Sequence, residues 1–463
     1  MTLLDLVLLP FYIGILYLIS FYYRKKLPNQ TLKKYHFLAF WLKIFSSLII
    51  VAYFYAKVDE GSDSLGLYYP EGLNLFHLLL KDTDNWKYLF VSGENFDSTL
   101  IAHSYNYGYY LIGSNFMVIK ITALLCFLTF GRYLLISLLF GYFAFSGLWK
   151  LFMFFYNKKP ELHKAFALSI LFFPSVVFWS SGVLKDSLCI GALGWLTYSL
   201  DLVFNGNLKI KNGLIALASA YLIFSVKSYI LLAYAPFFLL YLFLVKLQVV
   251  KSIYLRGAIA FFLISGIIAG FAFGYSYFQK ELGQYALENV TKSISSLNSA
   301  FNSLTGDMGA ESNFNLGASF DGTFTGFLKI APFAITATFF RPFIWETTKV
   351  SQLLAALESL LLAYFTIRIL LQIGIFRFAK YIFTDPLINF CFLFAVAFGL
   401  FVGTATLNFG TLVRYKIPCM PFFAIALFLI NQKASVLKKQ KSLWPWLIHP
   451  IFFKDLFLKK PIG

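Results

Sequence analysis

Apolar residues in this chain run in continuous blocks rather than in alternation. Blocks close to twenty residues long recur at 3–23, 37–56, 133–156, 187–204, 229–245, 257–275, 351–374 and 386–403. A helix needs roughly 20 residues to cross about 30 Å of hydrocarbon. A barrel strand needs about ten, with its apolar positions alternating. Shorter apolar stretches at 165–179, 212–226 and 417–431 complete the pattern. Together they predict an all-α fold, a polytopic transmembrane helix bundle of about eleven spans.

The polar segments between the blocks set the threading. Basic residues gather at Arg24-Lys25-Lys26, Lys33-Lys34, Lys158-Lys159, Lys209 with Lys211, Lys251 with Arg256, Arg377 with Lys380, and Lys438-Lys439. Their placement follows the positive-inside rule and predicts an N-terminus outside and a C-terminus inside. The first apolar block has no basic residue before it and three after it, the reverse of a cleavable signal peptide. Residues 57–132 then form a first external loop and 277–350 a second. Within them, 114–131 carries Lys120, and 327–345 carries Pro332, Arg341 and Pro342, so both are expected to lie on or dip into the outer surface. The tail 443–463, with Trp444, Trp446 and lysines, reads as an interfacial segment on the cytoplasmic side.

Composition sharpens this picture in one respect. The chain is 59% hydrophobic and 13% charged, against about 25% charged in a soluble domain. The net charge of +18 is distributed by topology and forms no basic stripe, so no nucleic acid is expected as a partner. Cys126, Cys189, Cys391 and Cys419 all fall in or beside apolar segments with no Cys-x-x-Cys pair, so neither a zinc site nor a disulfide framework is implied. A bacterial inner (plasma) membrane protein, multi-pass, is the expected setting.

Candidate chemistry collects on the side read as external. Asp59, Glu60 and Asp63 follow the second span directly, where a carboxylate can act as a general base on an acceptor hydroxyl or hold a divalent cation against a lipid phosphate. The plain alternative is the solvated start of a loop. A second cluster, Pro174 to Ser187, breaks a helical hairpin and carries Lys185 and Asp186. Pro174 and Gly182 interrupt regular helix there. The competing reading is a structural turn with a belt tryptophan, Trp179. Lys227 poses the same choice at the next outer tip. Arg341, Trp345 and Glu346 form a third cluster: Arg341 offers a planar fork for phosphate, Trp345 a face for a sugar or an interfacial anchor, and Glu346 either a partner for Arg341 or a second carboxylate. Arg414 and Lys416, just before the last span, run against the positive-inside trend and need an anionic partner, from a ligand or from a loop acid. No Walker A sequence, dinucleotide-binding glycine fingerprint, His-Glu-x-x-His or nucleophile elbow is present, so an ATP-driven pump or a metalloprotease is unsupported.

In sum, an acidic first external loop is followed by a surface segment, the tip Phe173-Pro174-Ser175…Trp179-x-Ser181-Gly182…Lys185-Asp186, a lysine-bearing tip at Lys227, Arg341-Pro342-Phe343-x-Trp345-Glu346, and Arg414-Tyr415-x-x-Pro418 before the last span. This layout, over residues 37–431, resembles the C-type, polyprenyl-phosphate-sugar-dependent membrane glycosyltransferase superfamily, including protein mannosyltransferase-like and aminoarabinose-transferase-like enzymes. The short motifs also resemble uncharacterised membrane proteins of bacterial surface-polysaccharide clusters. The resemblance implies a polyprenyl-phosphate-linked sugar donor and a glycan or lipid acceptor, with membrane lipid around them. It gives the carboxylate role to Asp63, Asp59 or Glu60, with Asp63 a candidate ligand for magnesium or manganese, and the lipid phosphate to Arg341, Lys227 and Arg414. A polysaccharide polymerase or ligase would use similar carriers and rely on the arginines. A transporter or flippase is the third reading, with Glu358, alone in the middle of 351–374, as its best residue.

Overall fold

The computed structural model describes residues 3–57, 62–97, 112–247, 324–347, 350–406 and 408–438. Asp59, Glu60, the apolar block 257–275, most of the second external loop and the tail 443–463 lie outside the described residues. Every element among the described residues is helical. Seven of these helices are long and apolar enough to cross a membrane, and a bent pair near the C-terminus makes an eighth candidate.

Helices α1 (Leu3–Lys25) and α2 (Gln30–Ala56) open the chain as a hairpin. At the turn, the Asn29 side chain accepts the Leu32 amide at 2.8 Å, a helix cap that starts α2. A π-helical turn at Asp63–Tyr68 leads into α3 (Tyr69–Lys81), which begins with Pro70 in its first turn. Helix α4 (Gly113–Thr129) packs against α3. A Cβ on Gly72 would lie 2.5 Å from the Thr122 side chain, so glycine permits the close approach.

Helix α4 does not cross the bundle. Ser114 near its start meets Lys185, and Gly131 just past its end accepts the Tyr69 hydroxyl at 2.9 Å. Both contacts lie at the end of the bundle where α5 (Tyr133–Lys158) begins, since Tyr133 bonds Ser64 at 2.8 Å. This is the Asp63 end of the bundle. The opposite, Lys158 end gathers Arg24, Asn29, Tyr156, Lys158 and His163.

From there the chain climbs again in pieces: α6 (His163–Phe166), a π-helical turn over Ala167–Leu171, and α7 (Pro174–Trp179). After a non-helical tip at 180–184, α8 (Lys185–Phe204) descends. Helices α5 and α8 cross backbone to backbone, because a Cβ on Gly147 would fall 1.9 Å from the Gly191 carbonyl, and one on Gly194 equally close to that of Gly147. Small residues at such crossings bring membrane helices into van der Waals contact where water supplies no driving force.

Helix α9 (Ile210–Leu247) has 38 residues and contains Lys227 in a non-helical conformation, φ −148° and ψ 77°. Straight, it would extend about 57 Å, far beyond the hydrocarbon. It folds back instead. Its start follows the end of α8 directly, Lys227 pairs with Asp186 at the start of α8, and Phe243 packs on Phe204 at the end of α8, with ring centroids 5.8 Å apart. The chain therefore covers the length of α8 twice, turning at Lys227.

The last third holds α10 (Phe324–Phe340), α11 (Val350–Ile373), the short α12 (Ile375–Thr384), α13 (Pro386–Ala405), α14 (Phe409–Tyr415) and α15 (Met420–Lys438). Helix α10 ends inside the bundle: the Arg341 carbonyl accepts the Ser359 hydroxyl at 3.1 Å. Ser359 lies nine residues into α11, about 13 Å below its start. Helix α12 buries Phe378 and Ile382 while Ile375, Phe376 and Phe383 stay exposed, as in a helix lying along an interface. Helices α14 and α15 meet at a 65° bend.

Candidate functional site: a charge chain among broken helices

Four residues from four separate segments join in one line of ion pairs at the Asp63 end. Asp63 opens the π-helical turn capped by Ser62, whose side chain accepts the Leu65 amide at 3.1 Å. Its Oδ2 accepts from Arg414 Nη1 at 2.7 Å. Arg414 Nε donates to Asp186 Oδ2 at 2.5 Å, and Lys227 Nζ donates to Asp186 Oδ1 at 2.5 Å. Asp186 stands in the first turn of α8, where its charge also favours the positive helix end. Arg414 stands in the last turn of α14, started by Asn408 accepting the Gly410 and Thr411 amides.

Exposure falls from Asp63 inward to Asp186, and Lys227 beyond it is also buried. The Asp63 side chain is 51% exposed, Arg414 15%, Lys227 5% and Asp186 0%. The four charges sum to zero. Lys185 adds a further cation, which donates to Ser114 Oγ at 2.8 Å. The Tyr415 ring covers Lys227, with the ammonium 4.5 Å from its centroid. Tyr68 lies beside the line and donates to Asn115 at 3.3 Å. Burial, and then the Asp63 carboxylate, push the Tyr68 phenol above its ordinary range, so it acts as a hydrogen-bond donor and not as a base.

Arg341 belongs to a neighbouring cluster on the other side of α14. Its Nε contacts both Glu346 oxygens at 3.0 and 3.1 Å, a second nitrogen closes the fork, and Glu346 also accepts the Phe343 amide at 2.8 Å. Of the two roles open to Glu346, it takes that of partner. The Arg341 guanidinium lies over Phe409, 5.3 Å from the ring centroid, which ties this cluster to α14. Trp345 is 81% exposed and stacks on Phe343 at 4.9 Å.

Three buried groups support the broken helices: Lys43, not among the sequence candidates, Glu358, the candidate transport residue, and Lys416, a cation expected to need an anionic partner. Lys43, in the middle of α2, donates to the Val177 carbonyl at 2.9 Å and to Ser180 Oγ at 2.5 Å. Glu358 accepts the Ser175 amide at 2.6 Å. The six-residue α7 is therefore held at its N-terminal end by the Glu358 carboxyl oxygen and at its C-terminal end by the Lys43 nitrogen, each from a different long helix. Lys416 is fully buried and donates to the Arg341 carbonyl at 3.0 Å and Ser359 Oγ at 3.2 Å. It fastens the inner end of α10 to the α14–α15 bend through these two protein groups. Pro174 begins α7 at the level of Glu358, and the tip itself is 180–184. Lys43 carried a usable signal, since a lone lysine inside an apolar span marks a site that needs partners.

Among the described residues, no three His, Cys, Asp or Glu side chains gather as a metal-binding group. Between Asp63 and Asp186 stands the Arg414 guanidinium. A divalent ion at Asp63 would share that carboxylate with Arg414 and take its other ligands from outside the described residues. The described residues do not supply its ligand set. No family model, no curated protein and no solved structure matches this chain.

Proposed function

We propose that this protein is an integral membrane glycosyltransferase that moves a sugar from a polyprenyl-phosphate carrier to an envelope glycan or lipid acceptor. The Asp63 end faces outward in a bacterial inner membrane. The carrying observation is the graded line Asp63–Arg414–Asp186–Lys227: its outermost member is an accessible carboxylate and its innermost members are buried and fixed. Asp63 accepts the proton of the acceptor hydroxyl as that oxygen attacks the anomeric carbon. The bond from that carbon to the phosphate oxygen breaks, and the phosphate leaves with the electron pair. Releasing Asp63 frees one edge of Arg414 for the departing phosphate, while Asp186 keeps the guanidinium in place. Lys185 supplies a second positive charge nearby. The basic clusters at the Lys158 end favour this orientation.

A polymerase or ligase working on the same carriers is favoured by one feature: Arg414, and not Asp63, is the hub of the line. Transfer from a radiolabelled polyprenyl-phosphate sugar in isolated membranes separates the two. A loss of about 100-fold or more in Asp63→Asn supports the transferase. Full activity in Asp63→Asn with loss in Arg414→Ala supports the polymerase. Unchanged glycan chemistry in both variants with failed export removes both readings in favour of transport, for which broken helices around a polar site are a known design.

A further inference from the structure

Toward the Lys158 end, an ammonium sits in a box of aromatic rings, and among the described residues no acid pairs with it. Lys150 of α5 has its Nζ 5.1 Å from the Tyr23 ring centroid and 4.9 Å from those of Trp195 and Tyr198. Its hydrogen-bond partner is the Tyr23 hydroxyl at 3.4 Å, which also accepts from Trp149 at 3.2 Å. The nearby acid is Asp201, within electrostatic reach of Tyr198, and Lys158 already holds it at 2.7 Å. Other cations converge instead. Lys211 lies within electrostatic reach of Lys150, and Arg24 and Lys150 both act on the buried His36. Among the described residues, no carboxylate pairs with Lys150, Lys211 or Arg24.

We propose that this cluster of cations and rings, drawn from α1, α5, α8 and the start of α9, binds the phosphate of an anionic phospholipid. A half-buried ammonium is costly without a counter-charge, and aromatic faces offset only part of that cost. A lipid phosphate at the interface supplies the missing charge and accepts the free ammonium protons. Tyr23 and Tyr198 stand within two turns of the helix ends on this side, and the Lys150 stem, about two turns inside the end of α5, can carry its charge toward the headgroups as lysines near span ends do; basic pockets between membrane helices take such groups. The site is at the opposite end of the bundle from Asp63 and does not depend on the proposed reaction.

Native mass spectrometry of the purified full chain, titrated with phosphatidylglycerol or phosphatidylcholine, tests this. Wild type and Lys150→Arg retain phosphatidylglycerol in preference to phosphatidylcholine. Lys150→Met, which keeps the length of the side chain, retains it at least threefold less. Inorganic phosphate in millimolar excess does not displace the lipid. Equal retention in Lys150→Met and wild type overturns the proposal, as does equal retention of the two lipids. Full displacement by inorganic phosphate overturns it in favour of a soluble anion.

Discussion

The two ends of the bundle use ion pairs in different ways. At the Lys158 end they are two-membered and partly exposed: Lys158–Asp201 at 2.7 Å and Lys433–Asp385 at 2.8 Å, with side chains 12–32% exposed. Cations are in excess there. The Asp63 end also holds two-membered pairs, Arg132–Asp5 and Arg341–Glu346, but there four further charges from four segments share partners, and the central carboxylate has no exposure at all. Pairs of the first kind anchor a helix end and contribute little. A buried line of the second kind gains less than a well-packed apolar cluster would, so its presence is better explained by what it does than by what it stabilises.

This contrast can be broken most severely at Asp186. Asp186→Leu strands two cations beside an apolar side chain and should destabilise the protein by about 3–5 kcal/mol, read as thermal unfolding in detergent. Adding Lys227→Met should recover part of that loss, because the two positions are coupled. A purely additive result would mean that the pair is not a unit.

Lys43→Met removes two hydrogen bonds to the end of α7 and should cost about 1–2 kcal/mol. Its further effect is on position: α7 leads through the tip at 180–184 to Lys185 and Asp186 at the start of α8, so transfer should fall more than stability does. Asp63→Asn is the reverse of Asp186→Leu. The Asp63 side chain is half exposed, and the change should cost under about 1 kcal/mol in melting while abolishing transfer.

The smallest effects belong to the Lys158 end. Lys158→Met or Lys433→Met should cost about 0–1 kcal/mol and leave transfer unchanged. Asp385 adds a pH signature. Burial raises its carboxyl, but the Lys433 hydrogen bond and charge, with the Leu387 and Ile388 amides, more than offset this and hold it below the ordinary carboxylate range. A depressed carboxylate stabilises fully above its unfolded value, about 3.9, and loses that contribution as pH falls through the folded value. The difference in melting between wild type and Lys433→Met should therefore be constant near neutrality and vanish in acid.

How legible all this is from sequence depends on the kind of signal. The membrane-crossing blocks are plain because hydrocarbon demands long apolar runs. Asp63, Asp186, Lys227 and Arg414 each stand out as charges at the edges of such runs, and the structure brings them together. Arg341 stands out equally but pairs within its own loop, an outcome that depends on how Phe343 to Glu346 turn back. The roles of Lys43, Glu358 and Lys416 were not legible, because each is defined by a backbone group more than fifty residues away. The interruption at 167–173 likewise has only Pro174 to announce it. Of the eleven spans in the sequence pattern, 257–275 lies outside the described residues, which hold seven candidate helices and one bent pair, with α9 folded on itself.

The account rests on the Asp63 end facing outward, and cysteine labelling tests this most directly. The four native cysteines are at most 1% exposed and stay silent toward a membrane-impermeant maleimide. Thr83→Cys, exposed near the Asp63 end, should label in intact cells, and Lys164→Cys, exposed at the opposite end, only after permeabilisation. The reverse pattern would contradict the account.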